Sequence, residues 1–213
     1  MNSFADLHLK SNIVAISSGI GSLEAYYFSQ DELLALKLAV AARRPLLIRG
    51  EPGHPKREFA IAAAQVLRQG FIEVDVDENQ EFDTLLWHYD PEQRQAEASI
   101  IGQLALDQGE VRQRLEKRLF ITPGPIWWNL DHLSARSQAE MSVGIATIPI
   151  IPSQSDDLGF VLFIQGLDYA DDRYLRRLAS VFRRGYFDLP LGANHKEFGF
   201  TSRIDYKRNS ATT

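Results

Sequence analysis

The sequence predicts an α/β fold with a mostly parallel sheet flanked by helices. Three observations carry that prediction. Leu46, Leu47 and Ile48 form a short apolar run that leads through a glycine-bounded loop into an Ala-rich, helix-like stretch from Lys56 to Ala64. Leu158 to Ile164 is the most apolar strand-like run in the chain, suited to a central parallel strand covered on both faces. Between and around these runs, strand-like and helix-like segments alternate, the order that layers helices against a parallel sheet.

Taken in order, residues 1–24 read as an N-terminal arm or edge strand around the apolar run Asn12 to Ile16. Ser29 and Glu32 stand at capping-box spacing and open a helix carrying Leu33, Leu34, Leu36, Leu38 and Val40, which Arg43, Arg44 and Pro45 end. The run Leu46 to Ile48 is expected as a buried strand. The next helix should extend from Lys56 to about Arg68, burying Phe59, Ala63, Val66 and Leu67, with Gly70 just past its end. Phe71 to Val76 alternates apolar and acidic residues and predicts a second strand.

A short helix over Phe82 to Tyr89, a glutamine-rich stretch and a helical run broken near Gly109 follow. Leu119 to Trp128 is aromatic and turn-rich. In extended geometry Trp127 and Trp128 cannot share one core, which would leave one as an exposed anchor; a helix starting after Pro125 would bury both. Residues 134–157 read as irregular, with Met141 to Pro152 apolar enough for a hairpin arm or strand. Tyr169 to Arg184 reads as a helix ended by Gly185. Phe187 to Leu191 is edge-like because of Pro190, Phe198 to Thr201 is a last strand candidate, and residues 206–213 are a frayed tail. One core domain over residues 25–205 is expected.

Composition narrows the function classes. With 213 residues, 45% hydrophobic and 24% charged, the chain can bury a sizeable core. Its net charge of −5 argues against a dedicated nucleic-acid or anionic-membrane protein. The absence of cysteine excludes disulfides, thiolate metal sites and cysteine nucleophiles. No apolar run reaches membrane-spanning length and the N-terminus lacks signal-peptide character, so the cytoplasm is the expected compartment. His8, His54, His88, His132 and His195 have no paired spacing, and no metal site is expected. Arg173, Arg176, Arg177, Arg183 and Arg184 lie on one basic helix. A solvated face balanced by Asp171 and Asp172, a protein interface and a nucleic-acid contact all fit that helix.

The chemistry-bearing motif is Gly50 to Arg57. A phosphate-binding loop reads Gly-x-x-x-x-Gly-Lys-Ser/Thr between a strand and a helix. Gly50 and Lys56 hold their places in that spacing, but Pro55 stands at the second glycine and Arg57 at the hydroxyl. Proline has no N–H to offer a phosphate, and it biases His54 toward extended geometry. Arginine cannot coordinate the Mg²⁺ that the hydroxyl would hold. Gly50, Gly53, Lys56 and Arg57 are therefore candidate nucleotide-binding residues of a degenerate loop. ATP or ADP binding without turnover, through Lys56 and the helix N-terminus, is the most such a loop would support.

Six segments in consistent order give the chain a resemblance to the MoxR-like branch of AAA+ ATPases, from about Tyr26 to Arg203. They are Arg44 to Gly53, Leu85 to Asp90 with Gln93 and Arg94, Ile121 to Trp128, Phe163 to Ala170, Ser180 to Pro190, and Phe198 to Arg203. The resemblance implies a three-layer P-loop NTPase-like core, an adenine pocket near Tyr26 and Tyr27, and ATP hydrolysis as the family activity. It also implies habitual partners, a MoxR-type ATPase or a von Willebrand factor A domain protein. The departures fall on the chemistry. Pro55, Arg57, Gln165, Gly166 and Arg203 replace the family's glycine, threonine, aspartate, glutamate and asparagine. Asp168 comes three residues late for a metal ligand and reads as a turn or cap residue. The chain is thus similar to a degenerate, inactive member without the C-terminal lid. The function expected of it is a non-catalytic scaffold or interaction subunit, with a slow or weakly ATP-binding chaperone and a nucleic-acid-binding regulator as alternatives. No catalytic residue is expected, and the sheet edge left open by a missing fifth strand would be covered by Asn12 to Ser17 or by a partner.

Overall fold

The computed structural model describes residues 13–17, 23–104, 106–144, 146, 148–149, 159–189 and 203–205. Mixed α/β character is observed: seven α-helices and eight strands occur among these residues. The strands form four two-stranded ladders, of which one is parallel. The chain divides into two compact units, the first drawn from residues within 1–74 and 149–165, the second from residues within 75–148 and 166–207.

In the first unit, β1 (Ile13–Ser17) pairs antiparallel with β2 (Leu23–Tyr27), Ala15 lying opposite Ala25. The arm around residue 13 is thus one strand of a local ladder. The α1 helix (Gln30–Ala42) starts as its sequence predicts. The Ser29 hydroxyl accepts from the Glu32 N–H, and the Glu32 carboxylate accepts from the Ser29 N–H. The α2 helix (Lys56–Leu67) buries Phe59, Ala60, Ala62, Ala63 and Ala64. Small side chains on that face let α2 approach closely, and Phe59 packs against both Tyr26 and Phe28. The three rings meet edge to face, with centroids 5.0, 5.6 and 6.2 Å apart, the geometry that aromatic quadrupoles favour. Leu36 completes this core, with Val14, Leu33, Val40, Ile48, Val66 and Leu67 packed around it.

Both helices end on an arginine in the left-handed conformation, Arg43 at φ 52° and Arg68 at φ 55°. Arg68, not Gly70, supplies the terminating geometry of α2. Gly70 instead opens β3 (Gly70–Asp75), where a Cβ would collide with the Phe160 ring. β3 pairs in parallel with β6 (Phe160–Gln165), and Phe71 stacks on Phe163 at 6.4 Å.

Two strand expectations in this unit need correction. Leu46 to Ile48 is not a strand: Leu46 and Leu47 are exposed and only Ile48 reaches the core. An apolar run becomes a strand only where a neighbour supplies a ladder, and no described strand pairs with it. β6 is not sealed on both faces either. Phe160 is buried, while Val161 to Gln165 remain half-buried beside their single described neighbour, β3.

In the second unit a 3-10 turn (Phe82–Leu85) precedes β4 (Trp87–Tyr89), which pairs antiparallel with β5 (Ile121–Pro123). The expected helix over Phe82 to Tyr89 is therefore half turn, half strand, because pairing with Ile121–Pro123 overrides a weak local preference. Asp90 caps α3 (Pro91–Ile101) by accepting from the Gln93 N–H. α3 ends at Ile101, and Gly109, where a break is expected, lies inside α4 (Gln108–Arg114) under the Asp107 capping box.

Gly124 begins α5 (Pro125–Leu130), and both Trp127 and Trp128 are buried within it, so neither is an exposed anchor. The helix turn sets their directions about 100° apart, whereas extended geometry would send them to opposite faces. Residues expected to be irregular form most of α6 (His132–Met141), capped by Asp131. Gln138 of α6 is fully buried. Its amide donates to the carbonyls of Arg118 and Ile121, and its oxygen accepts from Arg118 Nε at 2.7 Å. α7 (Asp172–Arg184) is ended by Gly185 at φ 72°, as the sequence predicts, but it begins three residues after the expected Tyr169, where Asp171 caps it by accepting from the Tyr174 N–H. β7 (Tyr186–Asp188) pairs antiparallel with β8 (Arg203–Asp205), and Phe187 meets Trp127 edge to face at 5.9 Å. Pro190, Phe198 to Thr201, Met1 to Asn12, Ile151 to Leu158 and the 206–213 tail lie outside the described residues.

All three tryptophans, Trp87, Trp127 and Trp128, sit in the second unit, so their fluorescence reports on the packing of that unit. A Cβ at Gly124 would meet the Leu85 backbone at 2.6 Å. Gly124→Ala is expected to lower the urea midpoint of the tryptophan transition by the equivalent of about 1–3 kcal/mol. Ser29→Ala, in the first unit, is expected to cost about 1 kcal/mol by circular dichroism.

Candidate functional site

The loop from Gly50 to Lys56 is built from two successive turns. In Glu51-Pro52-Gly53-His54, the His54 N–H donates to the Glu51 carbonyl at 3.2 Å, and Gly53 has φ 86°. Proline then glycine with positive φ at the two central positions is the signature of a type II turn. Next, Pro55 at φ −74°, ψ 55° closes an inverse γ-turn, with the Lys56 N–H donating to the His54 carbonyl at 2.7 Å. The positive φ of Gly53 thus belongs to a turn that closes on itself. The amides of His54 and Lys56, which an anion would need, are already engaged.

Lys56 is engaged as well. Its ammonium donates to the carbonyls of Gly50 at 2.8 Å and Glu51 at 3.2 Å, folding the side chain back across the loop. Of the expected nucleotide-binding residues, Gly50, Gly53 and Lys56 are brought together here. Arg57 is not among them: it turns to β3, where Nε donates to both carboxylate oxygens of Glu73 at 2.9 Å. Gln165, at the end of β6, donates to the same carboxylate at 3.4 Å. Glu73 therefore gathers a helix and two strands on one side of the first unit. Sequence reading missed it as a site residue, although the alternation Phe71-Ile72-Glu73-Val74 placed it on the polar side of the strand.

Beside the loop lies a cleft of about 420 Å³ lined by Ala25, Tyr26, Tyr27, Glu32, His54, Pro55 and Glu58. The Tyr26 hydroxyl donates to Glu32 at 2.8 Å. Burial, that hydrogen bond and the charges of Glu32 and Glu58 push the phenol well above its ordinary range. Burial by itself would raise the Glu32 carboxyl, but hydrogen bonds from Ser29 and Tyr26 and the proximity of His54 hold it below its ordinary value. Tyr26 is buried in the core and Tyr27 is exposed, and both line the cleft. Two carboxylates at this wall oppose a phosphate-bearing ligand.

The remaining expected positions are dispersed by role. Gly166 has φ 74°, and a Cβ there would collide with the Val76 carbonyl. A glutamate at this position would not fit the backbone as folded. Asp168 is exposed in the turn from Gly166 to Ala170, and Asp171, not Asp168, caps α7. Arg203 lies in β8 opposite Asp188. His54, His88 and His132 stand apart on the loop, β4 and α6, while His8 and His195 lie outside the described residues.

No protein-family model, curated protein or solved structure matches this chain.

Because the folded Glu32 carboxyl titrates below its unfolded value, its contribution to stability is present above the ordinary carboxylate pKa and lost as pH falls through the folded one. An NMR titration should place Glu32 below the ordinary glutamate range, and Tyr26→Phe should move it upward. A double-mutant cycle of Arg57→Ala and Glu73→Ala is expected to give a coupling of about 0.2–1 kcal/mol, the range of a partly exposed pair.

Proposed function

We propose that this chain is a non-catalytic, MoxR-like AAA+ type scaffold that works through protein contacts and not through nucleotide hydrolysis. The observation that carries the reading is the internally closed loop. Lys56 is held by the Gly50 and Glu51 carbonyls, and the His54 and Lys56 amides are held by turn hydrogen bonds.

Phosphoryl transfer depends on positioned cations, a metal and an activated water, with little else for the protein to contribute. Here Arg57 is committed to Glu73, and the close approach of the Val76 carbonyl to Gly166 excludes a carboxylate side chain at that position. Single losses of electrostatic stabilisers typically cost about 10²–10³ in rate, and several positions have changed at once. The rival reading is a weak nucleotide binder or slow ATPase. It requires Lys56 to leave its two carbonyls and a phosphate to settle near Glu32, Glu51 and Glu58. The partners proposed for the scaffold are those of the family, a MoxR-type ATPase or a von Willebrand factor A domain protein. That step is analogy at the level of fold. Among the described residues no helix is long and apolar enough to cross a membrane.

Calorimetric titration with ATP and ADP, with and without Mg²⁺, is the test. Silence up to millimolar nucleotide is expected. Micromolar binding that disappears in Lys56→Ala would replace the scaffold reading with the nucleotide-binding one.

A further inference from the structure

We infer that the outer face of α7 is a docking surface for a short acidic peptide segment of a protein partner. This rests on α7 alone and holds whether or not the 50–56 loop binds nucleotide. The helix buries Tyr174, Leu178 and Val181 on one side. At 3.6 residues per turn, Arg173, Arg176, Arg183 and Arg184 fall within an arc of about 100° on the opposite side. All four are exposed. The stripe they form is about 17 Å long at 1.5 Å per residue. Arg177, at its edge, already has a structural role, pairing with Asp83 and lying over the Phe82 ring.

Helix stability does not account for the stripe. Arg183 and Arg184 sit in the last turn, where the macrodipole favours cations. Arg173 and Arg176 lie at the other end, where it disfavours them. Arg176 is compensated by Asp172 at 3.7 Å, both side chains being largely solvated. Arg173, Arg183 and Arg184 make no ion pair among the described residues. A guanidinium offers carboxylates a planar, two-pronged donor set, and it sheds water more readily than an ammonium.

Charge and length choose between anions. α7 carries five arginines against one aspartate in a chain of net charge −5, so the surface beyond it is more acidic than that figure alone. Asp168, Asp171 and Asp172 are exposed at the N-terminal end of the stripe. A nucleic-acid strand following the stripe would run onto those carboxylates. An extended peptide covers the stripe with about five residues at 3.3 Å each, and ends within it.

The test is fluorescence anisotropy of the full chain with a labelled glutamate-rich peptide, compared with a single-stranded oligonucleotide of equal charge. Peptide binding at low salt that weakens steeply as salt is raised is expected. Arg183→Glu combined with Arg184→Glu should weaken it by about tenfold or more, while Arg136→Glu, exposed on α6, should leave it unchanged. Arg183→Lys with Arg184→Lys should retain part of the affinity. Absence of peptide binding at low salt, indifference to the charge reversal, or tighter binding of the oligonucleotide would each overturn the inference. So would a salt-sensitive self-association in sedimentation that the reversal abolishes, since a second copy would then be the occupant.

Discussion

The Lys56 ammonium, held by the carbonyls of Gly50 and Glu51, ties the first turn of α2 to the segment that enters it. That entry has no side-chain cap, since Pro55 stands at the N-cap and offers none. The lysine bridge and the γ-turn before it therefore set where α2 begins and how its face is rotated. From that entry α2 presents its buried face to the first unit. Phe59 reaches the Tyr26 and Phe28 rings, the alanines lie close against the core, and Arg57 lands on Glu73. Residues that would serve a phosphate in another setting are here the fasteners of a packing arrangement.

The second unit has a different fastener. Gln138 is a fully buried amide whose two polar ends are satisfied by Arg118 and Ile121, joining α6 to the segment that leads into β5. A buried amide left unpaired costs more than a formed hydrogen bond gains. This network therefore selects one register between α6 and the 118–121 segment. The buried tryptophans of α5 lie directly between these elements in the chain, so their positions depend on it.

What the sequence made legible was local chemistry with a strong mechanism. The Ser29–Glu32 capping box, the Gly185 terminator and the alternation from Phe71 each appear where their spacing placed them. What it hid depended on long-range partners. Leu46 to Ile48 has strand composition but no described neighbour to make it one, and Trp87 to Tyr89 becomes a strand only because Ile121–Pro123 lies beside it. At the candidate site, the spacing of Gly50 and Lys56 was visible, and so was the damage at Pro55. The Pro52-Gly53 pair forms the type II turn at the heart of this loop, a local signal that sequence reading did not use. Glu73 was invisible as a partner of Arg57 because sixteen residues of sequence separate them.

Arg43 and Arg68 end their helices in a left-handed conformation that L-residues with a Cβ adopt at a cost of about 1 kcal/mol each. Glycine or asparagine would hold the same backbone with less strain. The first unit thus carries unused headroom in its own stability. A damaging change elsewhere in that unit could be offset by relieving either of these two helix ends.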